Sequence, residues 1–224
     1  MGFVVKRRYN QSVSGVSLRH SAFVTSDDPD QQVADAIGLM SRYVREDWAS
    51  PEIRADVAQA VGTSPDPVPR IFSFIKDRVR FLHDSQIADA LLPRYQWPVV
   101  EVLIRPRDMS TLCASGECTR VGDCDDFAMY AAALLKAAGL KPAFVTVAAD
   151  PQQPDRFSHV YVAAYRADGA RVPVDVSHGH YPGWEAPNLG RIREWIIFPE
   201  IWPHLLALGI VAVLAWPRSK RGES

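Results

Sequence analysis

The chain has 224 residues, 47% of them hydrophobic and 23% charged, which suits one domain or one domain with an appendage and excludes whole-chain disorder. Lys plus Arg number 25 against 26 Asp plus Glu, so the net charge is −1 and no nucleic-acid partner is expected, since such binding draws mainly on basic surface. Three cysteines cannot all pair within one chain, which argues against a disulfide-stapled secreted scaffold and leaves a thiol to be explained.

Met1 to Ser26 is polar, slightly basic and without an acid; it lacks the apolar run of a secretory signal and reads as an arm or edge strand. The run Asp27-Asp28-Pro29-Asp30 signals a helix start, and Val33, Ile37, Met40, Tyr43, Val44 and Trp48 then recur at helical spacing. A second helix is expected from Pro51 to about Val61, closed by Gly62. After a turn at 63–67, Val68 to Arg80 reads as a third. His83 to Gly122 carries only short apolar runs and reads as a long irregular connection.

From Cys124 the pattern sharpens. Phe127, Ala128, Ala131, Leu134, Leu135 and Ala138 form a helical stripe that Gly139 stops. Pro142–Ala149, Phe157–Tyr165 and Arg171–Val176 read as strands, the last two joined around Ala167-Asp168-Gly169. Helices first and strands after favour an α+β fold.

The C-terminal run Ile201 to Trp216 has no formal charge and is followed by Arg218, Lys220 and Arg221. As a helix, its sixteen residues span about 24 Å, short of the roughly 30 Å hydrocarbon core. A membrane anchor, a buried helix and an apolar tail docked on a partner protein all fit it.

The chemistry-bearing residues stand in three places. Cys124, within Gly122-Asp123-Cys124-Asp125-Asp126, sits at a helix start, where unpaired N–H groups favour a thiolate. Asp123, Asp125 and Asp126 oppose that charge, and are expected to cap amides and point outward. A helix end contributes on the order of 1 kcal/mol, so a base is needed. His159 and Asp175 lie within apolar strands, where buried polar groups require partners. A three-residue loop with left-handed Gly169 sets Arg166 opposite Ala170 and Asp175 opposite Tyr161, on the face that carries His159. A two-residue loop would separate them. Val160, Val162, Val172, Val174 and Val176 then line the other face. Nucleophile, base and orienting carboxylate are thereby supplied.

These segments resemble the transglutaminase-like superfamily, relatives of the papain-like thiol enzymes. The resemblance rests on Gly122-Asp123-Cys124-Asp125-Asp126-Phe127-Ala128, Ser158-His159-Val160-Tyr161-Val162 and Val174-Asp175, with Ile71 to Asp84 similar to the segment before the family's cysteine. It covers roughly residues 68 to 185. It implies a core in which the Cys-bearing helix packs on an antiparallel sheet carrying His and Asp, in a small bacterial or bacteriophage-type member. The chain then divides into an arm and helical layer (1–67), this core (68–190) and an apolar tail with a basic end (191–224). Matching by position implies Cys124 as nucleophile, His159 as base and Asp175 as third member. The function implied is cysteine peptidase, amidase or acyltransferase chemistry on a protein or peptide, through a thioester. In the family an upstream Gln- or Trp-type donor helps to stabilise the oxyanion, which makes Gln96 and Trp97 candidates.

His178 and Trp184, in a Gly/Pro loop, are candidates for lining the cleft or touching substrate; His178 and His180 are rival bases, and His83 and His204 are read as structural. The spacing of Cys113, Cys118 and Cys124 contains no C-x2-C pair and suits zinc poorly; neither a metal nor a cofactor is expected. The alternative function is a degenerate structural or assembly protein of this fold, phage- or membrane-associated. The expected location is cytoplasmic or virion-associated, or membrane-tethered through residues 201–216.

Overall fold

The computed structural model describes residues 3–7, 11–13, 16–18, 21–25, 28–86, 101–111, 120–188 and 190–198. Four short strands open the chain: β1 (Phe3–Arg7), β2 (Gln11–Val13), β3 (Val16–Leu18) and β4 (Ser21–Thr25). Helices α1 (Pro29–Asp47), α2 (Pro51–Val61) and α3 (Pro67–Lys76) follow, then β5 (Val79–Phe81), β6 (Glu101–Ile104), α4 (Pro106–Thr111) and β7 (Arg120–Gly122). Next come α5 (Cys124–Ala137), β8 (Lys141–Val147), β9 (His159–Tyr165), β10 (Arg171–Val174) and β11 (Ile192–Ile196). The fold is α+β.

Local chemistry accounts for the helix starts. Asp28, Ser50 and Asp66 cap α1, α2 and α3, each accepting from a first-turn amide, and each is followed by a proline whose missing N–H costs nothing there. The third helix stops at Lys76, four residues short of the expected Arg80. Asp77 and Arg78 turn the chain back onto Ser73 and Ile75, and Val79–Phe81 pairs in parallel with β7. That pairing joins segments some forty residues apart, which periodicity does not reveal. The N-terminal segment, read as an arm or edge strand, supplies β1 to the edge of a β1-β4-β6 sheet. The long connection likewise contains β6, α4 and β7, while residues 87–100 and 112–119 lie outside the described residues.

The second sheet runs β10-β9-β8-β11 and is antiparallel throughout. Arg171 stands opposite Tyr165 and Val174 opposite Val162, the register a three-residue loop demands. Gly169 is left-handed (φ 85°), and the Arg166 amide donates to the Ala170 carbonyl across the loop (3.0 Å). Val160, Val162, Val174 and Val176 are buried in the main core with Val172 packed against it; Tyr161 and Ala163 belong to a smaller cluster on the outer face.

Helix α5 is the centre of the molecule. Residues Phe127 to Leu135 are all at most 3% exposed, so the helix is buried all round rather than along one stripe. Helices α1, α2 and α3 pack on it from one side and β8 and β9 from the other. Gly139 (φ 92°) ends it in a Schellman motif: the Leu140 amide donates to Leu135 O and the Gly139 amide to Lys136 O, both at 3.0 Å.

Two features bear on the C-terminal segment. Ile192–Ile196, read with the tail, forms the edge strand β11, and the buried Ile197 accepts at its carbonyl from Arg45 Nη1 (3.0 Å). Among the described residues no helix is long and apolar enough to cross a membrane; 201–216 lies outside them.

Candidate active site

Cys124 occupies the first position of α5 and is half-buried, with its thiol outside any disulfide. Asp123 is the N-cap and forms a capping box with Asp126. The three aspartates cap amides as expected, but Asp125 and Asp126 point inward and are 2% and 0% exposed. Asp126 Oδ1 accepts from the Ile104 amide of β6 (2.6 Å), and nearby Asp84 Oδ2 accepts from the Val102 amide (2.7 Å). Carboxylates can be buried here because they take up backbone N–H groups that strand and helix start leave open. Asp84, Asp123, Asp125 and Asp126 bring oxygens within 4.8 Å of one another at this helix start. The helix terminus favours a thiolate by only about 1 kcal/mol, so a partner base has to supply the rest.

The candidate partner is His159, which lines the same cavity as Cys124. The ring sits at the start of β9, 8% exposed, with Nε2 2.7 Å from Oδ2 of the fully buried Asp175. Asp175 lies one residue beyond β10 rather than within it, and the chain there folds back to hold the second oxygen. Asp175 Oδ1 accepts from the His178 amide and from Ser177 Oγ, both at 3.1 Å. Burial pushes the Asp175 carboxyl up, but the His159 bond and charge, the His178 amide and the Ser177 hydroxyl outweigh it, and its pKa is lowered. An ionised Asp175 fixes the proton on Nε2 and leaves Nδ1 as the basic nitrogen.

Because the unfolded chain holds the Asp175 proton more tightly, this group stabilises the fold above the ordinary carboxyl pKa of about 4, and that stability is lost as pH falls through and below it. Asp175→Asn is therefore expected to flatten the acid limb of melting temperature against pH between about 4.5 and 2.5; parallel limbs in variant and wild type would refute this.

The turn after Asp175 depends on Gly179. Its amide donates to Asp175 O (2.9 Å), and a Cβ at this position would lie 2.3 Å from that same carbonyl oxygen. Gly179→Ala must push the backbone apart, with an expected loss of about 2–3 kcal/mol in denaturant unfolding. An unchanged midpoint would remove the turn from the account.

Cys124 and His159 line one cavity of about 440 Å³. Val33, Ile37 and Met40 of α1 form an apolar wall, and Gln153, Arg156 and Phe157 of the loop before β9 stand across from it. Sequence reasoning placed α1 outside the site; its helical stripe was visible, but the cavity it faces depends on how α1 packs on α5. Arg191 spans the rim, with both terminal nitrogens on the Asp30 carboxylate (3.0 and 3.1 Å) and Nη1 also on Asp155 O (2.8 Å).

The other candidates separate. His178 stands against the pair, its ring edge-to-face with His159 at 4.6 Å, and partial burial lowers its pKa. Trp184 instead packs at the outer cluster beside His180 (6.1 Å), away from the cavity lining. Tyr161 is a packing residue whose hydroxyl donates to Glu185 (2.7 Å), and burial with that bond raises its pKa. His83 packs edge-on to Phe81 at 5.0 Å. Gln96, Trp97, Cys113, Cys118 and His204 lie outside the described residues. Ser177 and Gly179 were missed, although the Asp-x-Ser-x-Gly spacing is a turn signal.

No protein-family model matches the chain, and no curated protein matches it. Among solved structures it is similar to one described as a "Putative Cysteine Protease" from Cytophaga hutchinsonii, with 16% identity, a TM-score of 0.41, and coverage of 86% of this chain and 72% of that one.

Proposed function

We propose that the chain is a thiol-dependent amide-cleaving or acyl-transferring enzyme with a papain- and transglutaminase-type core. The observation that carries this is the joint exposure, in one cavity, of a cysteine at a buried helix's N-terminus and a histidine held by a buried carboxylate. In this reading His159 Nδ1 takes the thiol proton and the Cys124 sulfur attacks a carboxamide or peptide carbonyl. The imidazolium, stabilised by Asp175, then protonates the leaving amine, and water or a second amine resolves the thioester. In this reading the ion pair with His159 is the source of reactivity, since a helix terminus alone contributes only about 1 kcal/mol. The clustering of carboxyl groups at this helix start favours the second reading, a degenerate structural protein in which the thiol stays protonated.

Alkylation at mildly acidic pH, followed by mass mapping, separates the two. Cys124 is expected to be labelled at least about tenfold faster than Cys113 or Cys118, and faster than in His159→Ala. Equal rates at the three cysteines favour the structural reading. Incubation with a glutamine-containing peptide and a labelled amine then distinguishes transfer from hydrolysis.

A further inference from the structure

Beside the proposed nucleophile lies a second grouping that the amide chemistry does not use as such. His159, Asp175 and His178 each bring one ligand atom within 4.8 Å of the others. Two are buried and held: His159 Nε2 lies 2.7 Å from Asp175 Oδ2, and Asp175 is fully buried. The third, His178, is exposed on the loop after β10, its Nδ1 3.0 Å from Ser177 Oγ. That hydroxyl also reaches Asp175 Oδ1 (3.1 Å), so the His178 nitrogen and the carboxylate already converge on one hydrogen-bonding centre.

We propose that His159, Asp175 and His178 form a binding site for a single zinc-class transition-metal ion, and that its occupancy silences the histidine. Two imidazoles and one carboxylate are a donor set for zinc, copper or nickel rather than for calcium or magnesium, which take oxygen ligands. Zinc bonds of about 2.0–2.2 Å in a tetrahedron place donors roughly 3.3–3.5 Å apart. Reaching that range takes a turn of His178, the one ligand side chain facing solvent, and an opening of roughly 0.6–0.8 Å between His159 Nε2 and Asp175 Oδ2, now 2.7 Å apart. The single His159 ring proton shifts from Nε2 to Nδ1 so that the Nε2 lone pair takes the metal, and the ion also replaces the Ser177 link to His178. The His178 amide remains on Asp175 Oδ1 and orients the carboxylate for the ion. With Nε2 on the metal and the ring proton on Nδ1, His159 has no nitrogen left to take the thiol proton, so bound metal inhibits. That inhibition rests on the proposed thiol chemistry, whereas binding itself does not.

The test uses the full chain without an affinity tag, freed of metal by a chelator. Titration with cobalt(II) is followed by visible absorption, and titration with zinc by calorimetry. One ion per chain is expected, with affinity lowered tenfold or more in both His178→Ala and His178→Gln, and unchanged in Cys124→Ala. Circular dichroism confirms that each variant is folded. Absence of binding, or binding that both His178 variants keep and Cys124→Ala loses with a thiolate-to-cobalt band, overturns the site. In turnover, zinc is expected to inhibit wild type at concentrations about tenfold below those needed for the His178 variants, each measured against its own metal-free rate. Equal inhibition overturns the regulatory role. A metal-free chain with no turnover sinks the thiol reading, and the cobalt titration still decides the site.

Discussion

Replacing Cys124 with Ala is expected to lower amide turnover about 10⁴-fold or more while leaving the fold intact. The size follows from the role: without the sulfur no thioester forms, and what remains is whatever binding and polarisation the cavity supplies. Stability is spared because Cys124 is half-buried at the first turn of α5, where the caps are made by Asp123 and Asp126. His159→Ala is expected to fall nearly as far, and the double variant no further than the worse single one, since the two groups act as a unit. Steady-state kinetics on a chromogenic amide, with thermal melts alongside, measures both. Retained turnover in Cys124→Ala, with a melt like wild type, would end the proposal that this thiol is the nucleophile.

Asp47→Ala should cost about 2–3 kcal/mol of stability, because it strips a buried guanidinium of its buried counter-ion and leaves only the part-exposed Glu46. Asp47, 1% exposed at the end of α1, accepts from Arg105 Nε (3.0 Å) and Nη2, and also from the Arg107 amide (3.4 Å). Arg105 is itself 7% exposed, lies over the Tyr43 ring at 4.7 Å and reaches Glu46 at 2.8 Å. This network pins the C-terminal end of α1 against the chain between β6 and α4, as the Arg191–Asp30 pair pins its other end. The helix between them is the apolar wall of the cavity. The substitution is therefore expected to raise KM as well as lower the denaturation midpoint, since a loosened wall positions substrate less well. A midpoint shifted by under about 1 kcal/mol would show that the pair contributes little beyond a surface bridge.

The contrast between what was legible and what was not follows the range of the interactions. The β9–β10 hairpin could be read because loop length and a left-handed Gly169 set register over a few residues, and that register sets Val174 opposite Val162 and delivers the next residue, Asp175, close to His159. Helix starts at Asp28 and Ser50, and the stop at Gly139, were legible for the same reason. The end of α3 was misjudged because Val79–Phe81 is drawn from helix to strand by a distant partner, β7. The aspartates around Cys124 were expected to point outward, because nothing nearby announces that β6 passes overhead with two amides to satisfy.

Local preference along the chain is enough for the α+β class, the helix starts, the hairpin and the order of three candidate site residues, Cys124, His159 and Asp175. Each depends on periodicity, capping or turn geometry that acts over a few residues. Only the tertiary structure decided that α1 walls the cavity, that Asp125 and Asp126 turn inward, and that His178 comes to lie against His159. Those placements arise where buried faces meet across long separations. There, close packing and the need to pair every buried polar group choose among arrangements that local preference leaves equal.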